Sequence, residues 1–154
     1  MHPYPHRYFA SSAGRAAGSV TISAPGLPAI ETAAPPQFGG PAGVWSPETL
    51  LTAAVADCFI LTFRAVARAA HFDWIALDCR VEGTLERSDG RSRFTRFATT
   101  ARLTVPRSAD ASEANRLLER AEHDCLIANS LSAERSLSIE VITEESATGT
   151  ARSA

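Results

Sequence analysis

Cys58, Cys79 and Cys125 are the side chains of this sequence best suited to nucleophilic or redox chemistry. A thiolate is a nucleophile and a two-electron reductant, and two thiols that meet can cycle through a disulfide. Cys58 and Cys125 lie in helical patterns beside polar residues, Asp57 in one case and His123 and Asp124 in the other. Cys79 shares the phase of Ile75, Leu77, Val81 and Leu85, which makes it a core cysteine of a strand. Spacing and composition alone leave Cys58 and Cys125 open to a structural reading as well. The odd number of cysteines and the absence of CxxC argue against a zinc ribbon and a permanent disulfide framework, so any disulfide is expected to be transient. All fifteen basic residues are arginines. Lysine Schiff bases, P-loop lysines and lysine general bases are therefore excluded. Neither a metal nor a cofactor is expected.

The chain has 154 residues and a formal net charge of -2. That length suits one domain over 1–154, with a core at about 8–142 and flexible tails at 1–7 and 144–154. The charge provides no pull toward nucleic acid or an anionic membrane. Residues 16–30 are broken by glycine and proline and lack a signal-peptide core, and the apolar run from Thr49 to Phe63 contains Asp57 and precedes Arg64 and Arg68. A cytoplasmic protein with a buried helix is expected, with no membrane span.

The elements that must position the thiols follow from periodicity. Ser19 to Ser23 alternates as a strand, and a Pro- and Gly-rich loop follows around Phe38. Ser46, Pro47 and Glu48 supply an N-cap hydroxyl, a first-turn proline and an acid at the positive end of the dipole, which starts a helix running to about Ala70. The LLTAAVADCF stretch is apolar on nearly every face and must be covered all round. Alternation from Ile75 to Leu85 and from Thr95 to Val105, with Ser88, Asp89 and Gly90 between, predicts a long antiparallel hairpin. Asp110 and Glu113 form a capping pattern for a second helix whose stripe, Ala114, Leu117, Leu118 and Ala121, ends on Cys125. Leu137, Ile139 and Val141 form a last strand. The class is α+β with an antiparallel sheet.

Two segments carry a family resemblance. SPETLLTAAVADCF (Ser46 to Phe59) resembles the start of the central helix of the OsmC/Ohr family of thiol peroxidases, and RLLERAEHDCLIANSL (Arg116 to Leu131) is similar to the family's second cysteine segment. With the hairpin between them, the resemblance spans Tyr8 to Ile142. It implies an OsmC-like fold: an antiparallel sheet packed on a long buried central helix and a second helix, in an intertwined homodimer. By position it makes Cys58 the peroxidatic cysteine, Cys125 the resolving cysteine and Glu48 the acid of the site. It also implies an organic hydroperoxide as substrate and an external dithiol, often lipoyl-linked, as reductant. Two departures stand out. Leu126 occupies a place where many members have proline, and the loop PPQFGGPAGVW has no arginine where OsmC-type members carry one. Ohr-type members place an arginine after a glycine near the first strand, and Gly14-Arg15 matches that place, so Arg15 is the candidate cation.

Glu48 and Cys58 are ten residues apart on one helix, or about 15 Å along its axis. If both serve one site, Glu48 must reach the Cys58 of a neighbouring subunit, as two antiparallel copies of the helix would allow. On its own, Glu48 equally reads as a helix-start acid. The cation would steady the Cys58 thiolate and the departing alkoxide. Phe38, Trp45, Phe59 and Phe63 are candidates for an apolar substrate pocket, or for core. Two other functions compete: an OsmC-fold binding protein for a small apolar ligand with little peroxidase activity, and a hydrolase using Cys58 with His123, a residue that otherwise reads as helix surface.

Overall fold

A computed structural model describes residues 3–144, which divide into two compact units, one up to Leu51 and one from Thr52 onward. The expected tails fall largely on residues 1–2 and 145–154, which lie outside the described residues.

The first unit is a small antiparallel sheet of β1 (Ser11–Gly14), β2 (Val20–Ser23) and β3 (Ile30–Thr32), with Ser11 opposite Ser23 and Val20 opposite Thr32. The Pro- and Gly-rich loop that follows makes one 3-10 turn at Pro36–Phe38 and ends it on Gly39 in the left-handed region, at φ 80°. Gly40 is required by close approach: a Cβ there would stand 1.6 Å from the Ala34 carbonyl oxygen. The loop returns to β3 through the Ala33 N–H, which donates to the Trp45 carbonyl at 3.0 Å. Ser46 and Thr49 then cap the next helix reciprocally. The Thr49 N–H donates to the Ser46 hydroxyl at 3.2 Å, and the Ser46 N–H to the Thr49 hydroxyl at 2.9 Å. This starts α1 (Pro47–Ala69), within a residue of the expected bounds.

From Thr52 onward α1 belongs to the second unit, whose sheet has the order β4 (Ala76–Ser88), β5 (Arg91–Val105), β6 (Glu134–Thr143). The expected hairpin is present, with Leu77 opposite Leu103 and Cys79 opposite Ala101. Its turn uses Asp89 and Gly90, both at positive φ. One pairing differs from the all-antiparallel expectation. β6 runs parallel to β5, with Thr99, Ala101 and Leu103 beside Leu137, Ile139 and Val141. A parallel neighbour needs a crossover, here made by α2 (Ala111–Asp124) and the short α3 (Leu126–Asn129). Alternation in a strand defines its faces but not the direction of its neighbour.

The core lies on one face of this sheet. Phe59, Phe63 and Ala67 of α1 meet Ala101, Leu103 and Val105 of β5 and Ala114, Leu117, Leu118 and Ala121 of α2. Phe63 also meets Trp74 edge-on, ring centroids 5.3 Å apart. Each large side chain buried here contributes about 1.5–3 kcal/mol. α1 departs from the all-round burial that its composition demands. Its buried residues, Val55, Cys58, Phe59, Phe63 and Ala67, form one stripe, and Leu61 is 50% exposed. The helix is long and apolar enough to span a bilayer by length and composition alone, yet that stripe is part of the core.

Candidate active site

Cys58 sits on the buried stripe of α1 at 8% exposure, while Asp57 faces solvent. One turn on, the Thr62 hydroxyl approaches the Cys58 sulfur at 3.9 Å, the only hydroxyl contact that the described residues give this thiol.

Cys125 does not sit within a helix, as its place at the end of the apolar stripe suggested. It is the extended residue between α2 and α3, at φ -63° and ψ 104°, and is 2% exposed. Its N–H reaches the Glu122 carbonyl at 3.4 Å, and its own carbonyl accepts from the Asn129 N–H at 2.9 Å. Leu126 is the first residue of α3, a position that needs no backbone donor and suits proline equally, so the departure from the family pattern leaves this turn unaltered.

The two thiols are neighbours. Burial is the main reason that the Cys125 thiol is pushed up to about 11. The Ala128 and Ile127 amides partly oppose it without making a full cap bond, and the interaction with the neighbouring Cys58 thiol reinforces it. Cys79 is also pushed up to about 11, by burial and then by Cys125. It packs half-buried against the core, in the place that its strand phase assigned.

Arg135 and Glu122 were not singled out from sequence. They line a crevice with Val55, Phe59, Thr99 and Cys125 whose free space, about 10 Å³, admits one water molecule. Arg135 Nε lies 3.3 Å from Glu122 Oε1, and Arg135 Nη1 donates to Asn129 Oδ1 at 2.8 Å. One signal was available: Arg135 has the phase of Leu137, Ile139 and Val141, an inward place that is unusual for a charge.

Other sequence candidates fall in the first unit. Arg15 follows β1 and is exposed, and Glu48 is half-buried in the first turn of α1. Phe38 and Trp45 expose 57% and 51% of their surface. Phe59 and Phe63 belong to the core of the second unit, and Phe59 also lines the crevice beside Cys125. His123 bonds to Asp124 at 2.8 Å with its side chain 81% exposed, whereas both thiols are buried, so His123 is placed as a surface helix residue and not as a partner of Cys58. Hydrogen bonds from His123 and then Arg120 hold the Asp124 carboxyl below its usual range. Among the described residues no group of three or more His, Cys, Asp or Glu is arranged to hold a metal.

A pair of adjacent buried thiols, one on a helix and one on a turn, with both helices on one face of a mixed sheet, defines a two-cysteine α+β protein of a kind distinct from CxxC folds. The chain belongs to the OsmC family: the profile described as OsmC-like protein matches residues 40–141. Peroxiredoxin OsmC of Escherichia coli (strain K12) is 28% identical over 105 residues, covering 68% of this chain and 72% of that protein. Among solved structures, an OsmC-like protein of unknown function from Vibrio cholerae superposes with a TM-score of 0.80 at 18% identity, over 88% of this chain and 99% of that one. An organic hydroperoxide resistance protein from Elizabethkingia anophelis does so with a TM-score of 0.75 at 17% identity, over 93% and 100%. At such identities these likenesses concern the fold.

Proposed function

We propose that this chain is a cytoplasmic, homodimeric thiol peroxidase that reduces organic hydroperoxides to alcohols. The observation that carries the reading is the adjacency of the buried Cys58 and Cys125 thiols. The Cys58 thiolate attacks one oxygen of the O–O bond, the alkoxide leaves and is protonated to the alcohol, and Cys58 becomes a sulfenic acid. Cys125 then loses its proton and attacks the Cys58 sulfur. The S–O bond breaks, water departs, and a Cys58–Cys125 disulfide remains. An external dithiol, in the lipoyl-linked form that the family resemblance implies, returns both thiols by exchange. The names of the relatives, a peroxiredoxin and an organic hydroperoxide resistance protein, support the chemistry.

The homodimer is supported by the half-covered apolar surface of α1, whose Leu61 side would pack on a second copy. In that assembly Glu48 of one subunit serves the Cys58 of the other and holds Arg15, the cation assigned to the thiolate. Exposed Phe38 and Trp45 supply apolar surface for the organic part of the substrate.

The test is a single turnover. Reduced protein mixed with stoichiometric cumene hydroperoxide should lose two thiols and yield the Cys58–Cys125 disulfide. Cys125→Ser should stop at a trappable Cys58 sulfenic acid, and Cys58→Ser should not react. Unreactive Cys58 in the unaltered protein would reject the enzyme in favour of a binding protein for a small apolar ligand.

A further inference from the structure

β6 places Arg135 beside Phe97 of β5, which in turn pairs with Gly83 of β4. A guanidinium therefore ends the inward row of Leu137, Ile139 and Val141, with only 29% of its side chain exposed and 23% of that of its partner Glu122. Its fork spans the turn that carries Cys125. Glu122 stands three residues before the cysteine in α2, and Asn129 four residues after it at the end of α3. Asn129 closes the same turn twice more: its side-chain amide donates to the His123 carbonyl at 2.9 Å, and its N–H donates to the Cys125 carbonyl at 2.9 Å. The turn needs such a brace, because the helical ladder breaks at Cys125 and its own N–H bond to Glu122 is long, at 3.4 Å.

We propose that Arg135 is a positioning residue for disulfide formation: by tying Glu122 to Asn129 it holds the Cys125 turn closed, with the sulfur within reach of Cys58. The proposal rests on Cys58 and Cys125 being a redox pair. Its action is indirect, since the guanidinium fixes two groups that flank the cysteine. A planar fork does this better than an ammonium, which cannot present two fixed donors in one plane. Opening the brace lets the Cys125 sulfur sample positions away from Cys58 and lowers its effective concentration there.

The test separates the brace from the peroxidase chemistry. Unaltered protein, Arg135→Met, Arg135→Lys and Asn129→Ala are equilibrated in glutathione redox buffers, where oxidised glutathione takes two electrons and two protons from the thiol pair and becomes two reduced molecules. The disulfide is mapped by alkylation and mass spectrometry, and circular dichroism checks the fold. The effective concentration of the pair should fall about tenfold in Arg135→Met and Asn129→Ala, with Arg135→Lys between them and the unaltered protein. With stoichiometric cumene hydroperoxide, sulfenic acid should form on Cys58 at the unaltered rate but convert to disulfide about tenfold more slowly. Should Arg135→Met not fold, Asn129→Ala and Arg135→Lys decide together, because Asn129→Ala removes one arm of the fork along with the side-chain bond to the His123 carbonyl, and Arg135→Lys leaves that bond in place. Unaltered equilibrium and conversion rate in Asn129→Ala overturn the brace, as does absence of a Cys58–Cys125 disulfide in the unaltered protein. If glutathione equilibria shift while peroxide leaves Cys58 untouched, the peroxidase reading fails and the brace stands.

Discussion

The Thr62 hydroxyl stands 3.9 Å from the Cys58 sulfur, one helical turn along α1 and inside an otherwise apolar stretch. Side chains four residues apart share a helix face, so the contact follows from spacing alone. A hydroxyl that donates to a thiolate favours attack, and at this length to a soft acceptor it is worth about 1 kcal/mol. Thr62→Val keeps the shape and removes the donor. Alkylation of reduced Cys58 at pH 7 should slow roughly fivefold, with thermal stability little changed. An unaltered alkylation rate would show that Thr62 donates elsewhere.

The Cys125 thiol adds a pH dependence of stability. It ionises at about 11 in the fold, against 9.0 ordinarily. Between those values the unfolded chain has lost a proton that the folded chain keeps, so stability is full below 9 and falls as pH rises through the window. The loss should be on the order of 2 kcal/mol for Cys125, with a smaller contribution from half-buried Cys79. Urea unfolding of the reduced protein at pH 8 and pH 10.5 measures it, and Cys125→Ser should flatten the slope.

Much of this architecture was legible in the sequence. α1, the long hairpin and most of α2 declare themselves by periodicity, because each is long and buries one face. β1 and β3 do not. Ser11 to Gly14 has no large apolar side chain to alternate, and Ile30–Thr32 is three residues long. The break at Cys125 was hidden because no glycine or proline marks it and the apolar stripe runs through. Arg135 was hidden by its company, since polar neighbours on both sides make a charged residue near a strand end look solvated. The two cysteines stand out by their motifs, whereas the fork that spans the Cys125 turn is visible only once β6 is laid beside β5.

Gly40 provides a test of the first unit. Its missing side chain lets the loop close on the Ala34 carbonyl, where a methyl group would overlap backbone. Gly40→Ala should force the loop apart and destabilise by about 2 kcal/mol or more, read as a lower thermal midpoint. The neighbouring Gly39→Ala strains backbone at positive φ but meets no atom, and should cost about 1 kcal/mol.

The uncovered side of α1 yields a prediction about assembly. Leu61→Asp places a charge on the surface proposed to meet a second copy, at a residue that is not one of the buried core. Light scattering should report a dimer for the unaltered chain and a monomer for the variant, with peroxide turnover lost together with the dimer. A monomeric unaltered chain would remove the shared site.

The parallel placement of β6 also bears on when the thiol pair comes into being. The crossover that delivers β6 to β5 is the same segment that carries Cys125, so the Arg135 fork can span the Cys125 turn only after the last strand has docked. Parallel pairing across such a separation is among the slower events of folding. A nascent chain ending before Glu134 would already contain all three cysteines but not Arg135. Full readiness for the disulfide therefore becomes a late property of the chain, acquired when its final strand is in place, and an incompletely synthesised protein would carry the thiols without the brace.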